Sequence, residues 1–387
     1  MATSTSPTSP TSSATSATSA TSATSATSEA RATPALDLSA DIVTLTAALC
    51  DIESVSLDEA AVCDAIEAAL APLDHLAVTR IGNTLVARTE LGRDERVVLA
   101  GHIDTVPLTK EPANLPTRRD GDDLVGRGTV DMKGGVAVQL KAALVAEPSR
   151  DLTFVFYEGE EIDSQHNGLL HVQQQRPELI EDADFAVLLE PTASQVEGGC
   201  KGTLRVDVTV KGIAAHSARP WNGRNAIHDA TAVLTRLTAY ETSTVTVDGL
   251  DYHEAMNATG IRGGIAGNVI PDECVITVNY RYAPDKSADE ALVHVQDLFE
   301  GYDVVCLDNA PGARPGLDLP AAKAFVDALA VPVIAKEGWT DVARFSEMGI
   351  AAVNFGPGDP NLAHHDDERV PVGQLQSAEA ALLRWLA

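Results

Sequence analysis

Two hydrophobic patterns divide the chain. Apolar runs stand at Val97–Ala100, Phe154–Tyr157 (after Thr153) and Ala186–Leu189, with Val353-Asn354-Phe355 as a shorter fourth candidate. Such runs predict strands buried on both faces. Between and after them, Gly134 to Ala146 and Ala378 to Leu386 have helical composition. Ser56-Leu57-Asp58-Glu59 has the S-x-x-E form and predicts a capped helix running towards Leu73. Buried strands alternating with helices predict an α/β fold, with a central mixed, mostly parallel sheet flanked by helices.

The stretch from 203 to 309 reads differently. Arg205 to Lys211 and Cys274 to Tyr282 alternate with period two, as strands with one wet face do. Asn225 to Tyr240 and Ser287 to Phe299 read as helices. This is an α+β module with an open sheet, expected as a second domain (203–309) inserted into a first (37–202 and 310–387). Residues 1–36 are set apart. Of the first 28, all but Met1, Pro7 and Pro10 are Ser, Thr or Ala, with almost nothing to bury, so a disordered tail is expected. The tail lacks a basic start followed by an apolar segment, which argues against a secretory signal.

Composition narrows the functional classes. The chain is 44% apolar but only 4% aromatic, so its core is aliphatic. A net charge of −28 disfavours phosphate backbones and anionic lipid surfaces, so neither a nucleic acid nor a membrane is expected as a partner. Five scattered cysteines without a C-x-x-C pair suit reduced, structural thiols in a cytoplasm.

Candidate chemistry falls directly after the buried strands, where open α/β sheets place their sites. The segments are Gly101-His102-Ile103-Asp104, Gly128-Thr129-Val130-Asp131-Met132, Glu158-Gly159-Glu160-Glu161, Glu190-Pro191-Thr192 and His364-His365-Asp366-Asp367-Glu368. Any one of them alone reads as a turn or a solvated loop; five at successive strand ends form a joint signal. Imidazole and carboxylate without thiolate suit zinc or another divalent ion with a position open to water.

From about Leu36 onward, these segments resemble the co-catalytic metallo-deacylase and carboxypeptidase family. The resemblance implies two zinc ions per subunit, with cobalt or manganese as substitutes. It makes His102 and Glu190 terminal ligands of one ion, Glu161 and His364 those of the other, and Asp131 the bridge. Asp104 would orient His102, and the Asp131-Met132 peptide would be cis. Glu160 would be the general base that takes a proton from the attacking water and returns it to the departing amine. Of the adjacent histidines, only His364 fits the family spacing, with Asp367 and Glu368 following. The segment Gly212 to Pro220 contains A-H-S and implies a homodimer through the inserted domain, with His216 helping to hold the oxyanion in the partner's site. Asn268 in G-N-V-I-P-D and Arg281 resemble segments that grip a substrate carboxylate, and Thr340 in G-W-T-D resembles a further substrate contact. Lys201 stands where many bacterial relatives carry Arg, keeping the charge but losing the planar fork. W-T-D followed by N-F-G-P-G-D-P-N-L-A-H most resembles the desuccinylase branch. The expected reaction is therefore hydrolysis of N-succinyl-LL-2,6-diaminopimelate to succinate and LL-diaminopimelate. N-acetylornithine, another acyl-amino acid or a glutamate-type peptide are the alternative substrates, and a catalytically silent assembly module is the alternative class.

Overall fold

The computed structural model describes residues 35–111 and 113–387. The tail reading falls almost wholly outside them, but its boundary moves: Leu36 is buried in the main core.

Eight strands form the central sheet, in the order Ala77–Ile81, Thr84–Arg88, Asp151–Tyr157, Arg96–His102, Phe185–Leu188, Ala351–Asn354, Val196–Gly198, Val333–Ala335. The middle four are mutually parallel, while Thr84–Arg88 and Val196–Gly198 join them antiparallel. All seven residues of Arg96–His102 and of Asp151–Tyr157 are buried. Successive side chains point to opposite faces of a strand. Val97, Leu99, Phe154, Phe156, Phe185 and Val187 accordingly enter one core. Val98, Ala100, Val155, Tyr157, Ala186 and Leu188 enter the other. The first core is covered by helices that include Ile42–Cys50, Lys133–Ala142, Pro320–Leu329 and Val372–Leu386, and the second by Gly168–Gln175 and Val342–Glu347. The mixed, mostly parallel α/β sheet is the one expected.

A second, four-stranded antiparallel sheet runs Ala255–Gly263, Glu273–Tyr282, Gly202–Lys211, Asp303–Ala310. Leu204, Val206, Val208, Ile276, Val278 and Tyr280 fill a core of their own beneath Thr231–Thr238 and Ala288–Leu298. The intervening residues Thr203, Arg205, Asn279 and Arg281 therefore share the opposite face.

One local expectation fails. The helix after Ser56 begins at Ala60, three residues late, and its Glu59 cap makes no side-chain capping bond. Leu57 takes a left-handed conformation (φ 78°), and the Ser56 hydroxyl donates to Asp104 Oδ2 at 2.7 Å. The motif lost its cap because a buried carboxylate takes the hydroxyl. The capping box forms instead at Ser287 and Glu290. Among the described residues, no helix is long and apolar enough to cross a membrane.

Candidate active site

The expected ligand segments converge at the carboxyl ends of the parallel strands. His102 closes its strand and is buried. Its Nδ1 lies 3.3 Å from Asp104 Oδ1, and its Nε2 lies 3.1 Å from Asp131 Oδ1. Asp104 is itself buried and accepts from the Ser56 hydroxyl and from the backbone N–H groups of Glu160 and Glu161 at 3.1 and 3.2 Å. One carboxylate thus fixes the imidazole and the loop that presents both glutamates. Burial works against its charge, yet these partners hold its pKa below the usual carboxylate range.

The turn carrying Asp131 is held by a residue the sequence reading noticed only as spacing. Glu368 is fully buried and accepts from the Val130 and Asp131 N–H groups at 2.9 and 3.1 Å, and from Arg127 Nη1 at 2.8 Å. The Asp131-Met132 peptide is cis, as expected. Glu190 is buried at the end of a strand gripped from two sides. A Cβ on Gly135 would lie 1.9 Å from the Leu189 carbonyl oxygen, and one on Gly356 would lie 2.6 Å from that of Glu190. Only glycine permits the helix starting at Lys133 and the loop after Asn354 to approach so closely.

His364 has φ 65°, and its Nε2 lies 3.0 Å from Glu161 and 3.4 Å from Asp131. His365 faces away, its Nδ1 3.8 Å from Asp367. Donor atoms of His102, Asp131 and Glu161 all lie within 4.8 Å of one another, a candidate metal site. The charge balance fits cations. Among the described residues, Asp131, Glu160, Glu161 and Glu190 make no ion pair with Lys or Arg, only with histidine or with nothing. Burial, reinforced by the charge of Asp131, pushes the Glu190 carboxyl up to about 7. Asp131 and Glu161 push His364 up to about 10. Crowded, desolvated carboxylates of this kind are what a divalent cation relieves.

Beside Glu160 and Glu161 opens a cavity of about 890 Å³, its far wall formed by Thr203, Arg205 and Arg281 of the second sheet. Of the expected substrate contacts, only Arg281 lines it. Thr340 is buried and donates to Asn354 Oδ1 at 3.1 Å. Lys201 is buried against Glu337 Oε2 at 2.6 Å and the His253 carbonyl at 2.5 Å. His216 is exposed on a separate two-stranded ribbon and Asn268 in the turn that leads into it, where the Ser217 N–H donates to the Asn268 carbonyl. Arg205 was legible as a wet-face position, but nothing in its strand pattern marked the face as a cavity wall.

Residues 98–387 match the model of peptidase family M20/M25/M40. The chain belongs to that family and is a hydrolase. It is 43% identical over 366 residues to the succinyl-diaminopimelate desuccinylase of Corynebacterium glutamicum, covering 92% of this chain and 98% of that protein. It is 54% identical over 355 residues to a Mycobacterium tuberculosis H37Rv protein provisionally named succinyl-diaminopimelate desuccinylase, covering 91% and 99%. Among solved structures it resembles a tripeptidase of Staphylococcus aureus, with TM-score 0.73, 21% identity and coverage of 89% and 96%. An M20 family metallo-carboxypeptidase of Sulfolobus solfataricus gives TM-score 0.72, 16% identity and coverage of 90% and 98%.

Proposed function

We propose that this hydrolase cleaves N-succinyl-LL-2,6-diaminopimelate to succinate and LL-diaminopimelate, using two divalent cations, zinc by preference. The carrying observation is the desolvated carboxylate cluster of Asp131, Glu160, Glu161 and Glu190 beside two histidines and without a Lys or Arg ion pair among the described residues, next to a cavity whose opposite wall carries Arg205 and Arg281. The names of the two curated relatives favour a succinyl substrate over an acetyl one.

In this reading His102, Asp131 and Glu190 hold one cation, and Asp131, Glu161 and His364 the other. When bound, such a pair supplies Lewis-acid polarisation of the scissile carbonyl and of the attacking water. Glu160, on the cavity wall and next in sequence to a ligand, takes the water's proton and delivers it to the departing nitrogen. Asp104 keeps Glu160 and His102 in register through the bonds described above. Arg281 grips a substrate carboxylate; Asn279 occupies only its Nε at 3.1 Å, leaving both terminal nitrogens for a bidentate anion. Residues 203–309 act as the inserted domain that joins two copies, and His216 reaches the second copy's site to stabilise the oxyanion. Its exposure, and its place outside the lining of the cavity in its own chain, support that role.

Zinc-loaded protein is expected to release succinate from N-succinyl-LL-diaminopimelate, to stop on chelation and to recover on zinc addition. Succinate release indifferent to chelator would contradict the reading. His216→Ala is expected to lower kcat by about 10²–10³, as loss of one oxyanion donor does, while leaving zinc content and the sedimentation coefficient unchanged. Wild-type turnover in that variant would remove His216 from the site.

A further inference from the structure

Arg205 and Arg281 form an unpaired cationic pair on the cavity wall facing the carboxylate cluster. Arg205 lies opposite Asn279, and Arg281 opposite Thr203, in the antiparallel register of two adjacent strands. The two arginines are therefore diagonal neighbours on one face, with backbones typically roughly 7–8 Å apart, within reach of long side chains. Both line the cavity. Asn279 sits between them: its amide nitrogen donates to Thr203 Oγ1 at 3.2 Å and its oxygen accepts from Arg281 Nε. That bond occupies Nε and leaves the two terminal nitrogens of Arg281 without a partner among the described residues.

Neither guanidinium has an acidic partner within 4.0 Å among the described residues, and the Arg205 side chain makes no hydrogen bond there. Asp308 lines the cavity across the register from Arg205 without closing an ion pair. The third arginine of the cavity, Arg344, is committed: its Nε donates to buried Asp341 at 2.5 Å and its Nη2 to Ser164 Oγ at 2.9 Å. Some surface arginines of this chain find carboxylates, as Arg80, Arg262 and Arg314 do, and others such as Arg93, Arg118 and Arg219 do not among the described residues; Arg205 and Arg281 stand out by lying side by side on one cavity wall. In a chain with twice as many acidic as basic side chains, two neighbouring arginines left without a partner mark a place for an external anion.

We infer that Arg205 is a specificity-determining residue that binds a second substrate carboxylate beside the one held by Arg281, so that the site selects acyl-amino acids with carboxylates beyond the scissile amide. The inference deepens the proposed desuccinylase reading and rests on it for the substrate class. N-succinyl-LL-diaminopimelate carries three carboxylates. Nα-succinyl-L-lysine lacks the distal one, and N-butyryl-LL-diaminopimelate lacks the one on the acyl group.

The test is calorimetric binding of these three compounds to full-length, metal-free wild-type protein and to Arg205→Gln, in which no turnover occurs. Arg205 is an exposed strand residue, so the variant's melting temperature serves as the folding control. Arg205→Gln is expected to weaken N-succinyl-LL-diaminopimelate by about 10- to 100-fold, the scale of a charge-assisted contact. It should leave unchanged whichever truncated compound lacks the carboxylate that Arg205 reads, and that compound identifies the carboxylate. Equal weakening of all three, no weakening of any, or no binding of any to the wild type overturns the assignment. Lack of succinate release by the zinc-loaded wild type would overturn the desuccinylase reading instead, and the two failures are separately visible.

Discussion

Glu160→Gln is expected to bind its full complement of zinc and to lose turnover by about 10²–10⁴, the range a positioned acid–base group supplies. Burial first, then the charges of Glu190, Asp341 and Glu161, push the Glu160 carboxyl well above the usual carboxylate range, with His102 opposing. A carboxylate so placed has a strong affinity for a proton, which suits it to take one from water and pass it on. The amide of the variant preserves the shape and the backbone bond to Asp104 but cannot accept that proton. Glu161→Gln provides the contrast. Its side chain lies 3.0 Å from His364, within the candidate metal cluster, so its substitution should lower zinc content as well as rate. Metal analysis with single-turnover kinetics separates the two. A fully metallated Glu160→Gln protein with normal activity would end the base assignment.

Glu368→Ala is expected to cost about 3–5 kcal/mol of stability, the usual penalty for breaking a buried ion pair from one side. The substitution leaves the Arg127 guanidinium buried without its carboxylate and orphans the N–H groups of Val130 and Asp131. Because those N–H groups set the Asp131 turn, zinc affinity should fall along with stability. Glu368→Gln retains an acceptor oxygen and should lose distinctly less of both. Denaturant unfolding of the two variants, with zinc titration, checks the ordering. Equal stability of Glu368→Ala and wild type would show that the turn is held by something else.

Much of the fold was legible because the central strands are buried on both faces and largely apolar. The apolar run from Val97 to Ala100 and that from Phe154 to Tyr157 fall within the two central parallel strands, whose observed ends extend them by only a few residues. The short and exposed strands escaped. Val196–Gly198 and Val333–Ala335 are three residues long, too short for any periodicity to show. Ala255–Gly263 exposes most of its residues and contains two glycines, so it carries no alternation. Ser56 misled because a local capping signal was outcompeted by Asp104, 48 residues away.

The site divides in the same way. His102, Asp131, Glu161 and His364 could be gathered in advance because their segments resemble those of a known family; the strand pattern alone does not place Asp131, just before the helix at Lys133, or His364, well beyond the strand ending at Asn354. Lys201 and Thr340 could not be judged, since their partners Glu337 and Asn354 are contributed by distant segments. Glu368 stood in a recognised spacing, but its grip on the Asp131 turn depends on a contact spanning 237 residues. Arg205 lay in plain view on a wet face, and only the opposing wall turns that face into a cavity.

The most direct test of the account is the rate of acyl release by zinc-reloaded protein from N-succinyl-LL-diaminopimelate beside N-acetylornithine. The cationic wall predicts fast release of succinate and little acetate. Preference for N-acetylornithine would keep the metal chemistry and contradict the substrate assignment.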